Sequence, residues 1–168
     1  MSAQDNKAIA RRFFDALNDK DLTFIDQIYA DAYVRNDPGN PHISSLEEHK
    51  QWIMRLCTSF PDLQYTIDDI LADGDKVMCR FTCHATHTGP WRDMPATGKQ
   101  VVVKGISISH IIEGRIVEDW FSIDVFGLVQ QLGIALPTTG ALPQTAFPTT
   151  GDLLPNMTPV KAEQADNA

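Results

Sequence analysis

The stretch His110-Ile-Ile-Glu-Gly-Arg-Ile-Val-Glu-Asp-Trp-Phe-Ser-Ile-Asp124, running on into Phe126-Gly-Leu-Val-Gln-Gln-Leu-Gly133, decides how this chain is read. Residues 101–112 and 116–125 are rich in β-branched and aromatic side chains, as strands are. Between them, Ile112-Glu113-Gly114 fits a three-residue loop with glycine in the left-handed position. That loop pairs Ile111 with Arg115 and His110 with Ile116. Because side chains alternate along a strand, His110 then shares a face with Trp120, Ser122 and Asp124. A two-residue Glu-Gly turn would put His110 and Asp124 on opposite faces; the longer loop is the expectation. Asp124, among Trp120, Phe121 and Ile123, sits where ionisation is costly, which makes it a candidate general acid/base.

Working outward, residues 4–17 predict a helix, with Ile9, Phe13 and Leu17 on one stripe and Asp5 available as a cap. Leu22, Ile25, Ile28 and Tyr29 suggest a second, short helix. The prolines and glycine of residues 33–42 point to an irregular stretch. A third helix follows, with Ser44 and Ser45 before Glu47 and Glu48 at capping-box spacing, a stripe of Trp52, Ile53 and Leu56, and a stop at Phe60-Pro61-Asp62. Then the period changes. Residues 63–72 and 76–88 flank Asp73-Gly-Asp75, a hairpin signal, and residues 89–98 form a loop. Helices first and an antiparallel meander afterwards indicate an α+β domain with helices on one curved sheet. The domain is expected to span 1–133, Gly133 ending a last helix. Beyond it, residues 134–168 are rich in Pro, Thr and Gly, with Pro-Thr-Thr-Gly at 137–140 and 148–151; this tail is read as disordered or packed on a neighbouring copy.

Composition narrows the function. A net charge of −8 lacks the basic surface of a nucleic-acid binder. No apolar run is long enough for a membrane helix, and the N-terminus has no apolar signal core, so no membrane is expected as partner. Three cysteines, an odd number, suggest free thiols in a reducing compartment, hence a cytoplasmic protein. Cys79, Cys83, His84 and His87 have a metal-like look, but on a strand the two cysteines stand about 13 Å apart, too far to share a zinc. No metal is expected.

The motifs Phe60-Pro-Asp-Leu63, Asp73-Gly-Asp75-Lys-Val with Arg80, Thr86-His-Thr-Gly89, Pro95-Ala-Thr-Gly98, Gly114-Arg-Ile-Val-Glu-Asp-Trp120 and Asp124 with Gly127-Leu-Val-Gln-Gln-Leu-Gly133 resemble the SnoaL-like polyketide cyclase ("ester cyclase") family of the nuclear-transport-factor-2-like superfamily. The resemblance covers about residues 5–133. It implies a cone-shaped α+β barrel, with three N-terminal helices on a strongly bent antiparallel sheet around a hydrophobic cavity. It also implies intramolecular aldol ring closure of a small apolar carbonyl or ester substrate, or a related isomerisation, without cofactor. The acid/base it implies matches Asp124, with His110, fourteen residues earlier, assisting. The superfamily also holds non-catalytic ligand-binding members and hydrolases, so these stand as alternatives.

Each site candidate has a structural counterpart. Asp124 is either the base or the cap of the helix after it; His110 assists it or is a half-buried strand histidine. His87, beside a glycine, is a carbonyl donor or a loop anchor. Arg80, between Met78 and Phe81, needs an acidic partner or a pocket, so it is a candidate to contact the substrate or Asp124. Asn36 lines a cavity mouth or an Asx turn, and Trp52 and Trp120 are cavity wall or core, suited to an apolar ligand. The expectation is a cofactor-independent cyclase or isomerase forming a homo-oligomer, dimer or tetramer.

Overall fold

The computed structural model describes residues 1–92 and 94–133; the expected tail lies outside them. Helix α1 spans Ala3–Asp19 and begins one step earlier than expected, because Ser2 is the cap and Asp5 its capping-box partner. A 3-10 turn, Leu22–Phe24, leads into the four-residue α2, Ile25–Ile28. Strand β1 follows at once, Tyr29–Asn36, where the sequence suggested the end of a helix and an irregular stretch. Helix α3, Leu46–Ser59, is capped by Ser45, and the Glu48 carboxylate accepts from the Ser44 N–H. Four strands complete the sheet: β2 Gln64–Asp73, β3 Lys76–Thr86, β4 Gln100–Ile112 and β5 Arg115–Ile123. The short α4, Val125–Gln131, closes the domain, with Gly133 left-handed just beyond it.

The order β1-β5-β4-β3-β2 is antiparallel except at one edge, where β1 runs parallel to β5. The expected α+β architecture, helices on a single sheet, is what the chain adopts; the sheet stays open, with β1 and β2 as its edges. Phe13, Phe14 and Leu17 of α1 and Ile53 of α3 pack on the inward side chains Val77, Cys79, Phe81, Ile111, Ile116 and Phe121. No described helix is long and apolar enough to cross a membrane.

The β4–β5 hairpin differs from expectation. Ile112 pairs with Arg115, so the turn is Glu113-Gly114 alone, both left-handed (φ 49° and 84°). A register shift then moves His110 opposite Glu118 instead of Ile116, leaving Val117 as the extra residue. The shift keeps His110 on the face of Trp120 and Ser122, but that face is the outer one. Along β4 the buried positions are the odd ones, and Val102, Ile106, Ile108 and Ile112 point outward and are exposed.

Candidate functional site

The inward face of β5 carries an acid. Asp119 lies between Ile116 and Phe121, two apolar buried residues, and is itself buried. Its partner across the parallel pair is Arg35 of β1, side by side in register. Period two along β1 aims Tyr33 and Arg35 inward together, and Asp37 follows in the same phase. From the helix layer, His49 and Trp52 of α3 come down on the same spot, one turn apart.

Arg35 ties these groups together. Its Nη1 donates to Asp119 Oδ2 at 3.2 Å and to His49 Nε2 at 3.1 Å, and its Nη2 donates to Asp37 Oδ2 at 3.1 Å. The guanidinium lies against two aromatic rings, 4.5 Å from the centroid of Phe121 and 5.0 Å from that of Trp52. Asp37 is fixed in turn by Gly39 N–H and the Asn40 amide. A buried guanidinium would be costly alone. Although burial works against its charge, Asp119 and the other neighbours hold it firmly protonated.

The charge states follow from this packing. Burial pushes the Asp119 carboxyl up to about 6, against the pull of Arg35. Its Oδ1 has no hydrogen-bond partner, so one oxygen is committed to Arg35 and the other is open to carry a proton. Burial, reinforced by the Arg35 cation, drives His49 well below the ordinary histidine range. Because Nε2 faces an N–H of Arg35 it must accept, which assigns the neutral ring with hydrogen on Nδ1. That N–H is also unpartnered, as is the Tyr33 hydroxyl, which weighs on the Asp119 charge without meeting it in hydrogen-bond geometry. Four buried polar atoms without partners, Tyr33 Oη, Arg35 Nε, His49 Nδ1 and Asp119 Oδ1, therefore gather at one place. Such clustering makes this place the candidate functional site.

Two spaces lie beside the aromatic residues that pack on Arg35; Tyr33, Arg35, His49 and Asp119 line neither of them. An inner apolar cavity of about 50 Å³ is walled by residues that include Trp52, Leu56, Tyr65, Phe81, Phe121 and Leu128. An outer groove of about 560 Å³ runs between α3 and the segments around Asn40 and Trp91. Trp52 and Leu56 border both spaces. The groove has the size of a small-molecule site and the inner cavity does not. Gly105 helps shape the inner wall: a Cβ there would meet the Phe81 ring at 2.5 Å.

Of the sequence-derived candidates, Trp52 is at this site. Asp124 is exposed and caps α4, its Oδ1 accepting from Gly127 N–H at 2.8 Å. His110 is on the outer sheet face, bonded to Asp75 at 3.0 Å. Trp120 shares that face, with Lys76 over its ring. Arg80 is also outward and finds its acidic partners in Asp68 and Asp69. His87 is fully buried and anchors the loop after β3: its Nδ1 accepts from Thr97 N–H, and Phe60 packs on its ring. Asn36 donates to Glu118 and to the Asp119 carbonyl, stitching the parallel edge. The structure thus does not bring Asp124, His110, Arg80 and His87 together. The cysteines Cys57, Cys79 and Cys83 are free thiols, with burial pushing Cys79 and Cys83 up to about 11. Among the described residues no group of three His, Cys, Asp or Glu side chains is placed to hold a metal.

The sequence matches the family model of SnoaL-like polyketide cyclases over residues 7–132. Among curated proteins none matches. Solved structures do. AclR from Streptomyces galilaeus, a candidate hydroxylase, is 27% identical, covers 80% of this chain and 99% of its own, and has a TM-score of 0.72. TsrD from Streptomyces laurentii is 28% identical over 80% of this chain and 99% of its own, with a TM-score of 0.73. IdmH from Streptomyces antibioticus, a candidate polyketide cyclase, is 26% identical over 77% of this chain and 99% of its own, with a TM-score of 0.69.

Proposed function

Because the chain belongs to the SnoaL-like polyketide cyclase family, we propose that it closes a ring in a small carbonyl substrate by proton transfer at carbon, with Asp119 as the acid/base. The observation that carries this is the buried Asp119 carboxyl, raised to about 6, with one oxygen on Arg35 and the other open. A methylene between two carbonyls is acidic enough for such a carboxylate to deprotonate near neutral pH. Asp119 takes the proton, and negative charge develops on the enolate oxygen. The Arg35 guanidinium and the His49 Nδ1–H are the donors available to that charge. The enolate carbon then bonds to a carbonyl carbon of the same molecule, and the resulting alkoxide takes the proton back from Asp119. Holding a flexible chain folded against Trp52 and Leu56, which border both spaces, supplies the remaining acceleration.

In this reading Asp124 is the α4 cap. A paired comparison tests it. Asp119→Asn and Asp124→Asn are assayed on a panel of β-keto esters, by deuterium exchange at the activated methylene and by ring closure. Loss of one acid/base group costs roughly 10²–10⁴-fold, so Asp119→Asn falls by that much. Asparagine caps a helix as well as aspartate, so Asp124→Asn stays within a few-fold of wild type. The reverse pattern would return the role to Asp124. The expected homo-oligomer finds support in the exposed outer side chains Val102, Ile106, Ile108 and Ile112. Sedimentation velocity of the full chain against an Ile106→Lys, Ile108→Lys variant tests pairing through that face.

A further inference from the structure

The groove outside Trp52 has a charge character unlike that of the rest of the chain. The protein carries 22 acidic residues against 14 lysines and arginines. Yet the ionisable side chains lining the groove are Arg55, Arg92 and His42, with no aspartate or glutamate among the described residues. Neither arginine makes an ion pair among those residues. Arg92 is held in place all the same: one guanidinium nitrogen donates to the Gly39 carbonyl at 2.8 Å, and the group sits 5.1 Å from the Trp91 ring centroid. Among the described residues its other N–H groups have no hydrogen-bond partner. Arg55 lies one turn beyond Trp52 on α3, so it stands at the point where the groove meets the apolar wall.

From this we infer that the groove binds a carboxylate carried on the outer end of the substrate, so that the substrate class is an amphipathic oxo acid. Its apolar body lies against Trp52 and Leu56, while Arg55 and Arg92 hold its anionic end. A guanidinium presents paired N–H donors that match the two oxygens of a carboxylate. Fixing that end would also set which methylene comes to rest nearest Asp119. The inference extends the reading above but is tested by binding alone.

The probes are 2-naphthoate and its methyl ester, which have the same ring body, differ in charge and contain no enolisable carbon. Calorimetry on the full-length protein compares the two. The acid is expected to bind about tenfold more tightly than the ester, a preference of the size given by a partly exposed pair of charge-assisted contacts, and the preference should shrink at high salt. In Arg55→Gln, Arg92→Gln, both exposed positions, the acid falls to the affinity of the ester and the ester is unchanged. Because neither probe has an enolisable carbon, their binding reads the groove whether or not Asp119 is the acid/base. This keeps failure of the chemistry distinct from failure of the groove. Equal affinities for acid and ester, a preference that survives the double substitution, or no saturable binding of either probe would overturn the inference.

Discussion

Replacing Arg35 by Met removes the hub of the buried cluster while roughly keeping its length and its apolar contacts with Trp52 and Phe121. Three hydrogen bonds go, two of them to carboxylates, and Asp119 and Asp37 remain buried without their cation. Breaking a buried ion pair from one side costs about 3–5 kcal/mol, and that is the expected loss at about pH 8. The pH dependence carries more information than the total. Burial already raises Asp119 to about 6 with Arg35 present, so without the cation its folded-state value rises further. His49, which Arg35 helps to hold low, moves up as well. Both changes favour proton uptake by the folded variant, so the loss must shrink as the pH is lowered to about 5. Urea unfolding of wild type and Arg35→Met at the two pH values measures it. A loss below about 1 kcal/mol, or one that is equal at both pH values, would refute the cluster as described.

Further outcomes follow from the same geometry. Asp119 is raised above its unfolded value, so its contribution to stability is fully present below about pH 4 and is lost as the pH rises through about 6. Relative to wild type, Asp119→Asn should therefore gain stability across that interval, by an amount of the order of 3 kcal/mol; urea melts at stepped pH check it. Asp124→Ala should cost about 1 kcal/mol in chemical denaturation and Asp124→Asn very little, as expected of a helix cap. Gly114→Ala should cost about 1–2 kcal/mol, because the turn holds that residue at φ 84°, and its melting temperature should fall accordingly.

The sequence made the helices, the meander and the position of the last helix readable, because stripes, caps and turn glycines are local signals. It hid the site for two physical reasons. Along β4 the inward Val101, Val103 and Ile111 are matched by the outward Val102, Ile106, Ile108 and Ile112, so hydrophobicity does not distinguish the inner face of that strand. Alternation grouped His110 with Trp120 and Ser122 correctly, but it carries no sign of which face is inner, and the irregularity at Val117 puts Ile116 and Asp119 on the same, inward side. A usable signal was present: Val117, Phe121 and Ile123 make the odd face of that strand the more apolar one, and Asp119 is the acid on it. In the same way Tyr33-x-Arg35-x-Asp37 keeps a period of two just before Pro38-Gly39, and His49 shares the α3 face with Trp52, Ile53 and Leu56. What no local pattern supplied was the parallel pairing that puts Arg35 beside Asp119, since that contact joins residues 84 apart in the chain.

The central claim is that Asp119 is held ready to exchange a proton near neutral pH. Titration of its side-chain carboxyl carbon by NMR, assigned by comparison with Asp119→Asn, tests it directly. A midpoint near 6 is the predicted result. A midpoint at or below about 4, the ordinary aspartate range, would contradict it.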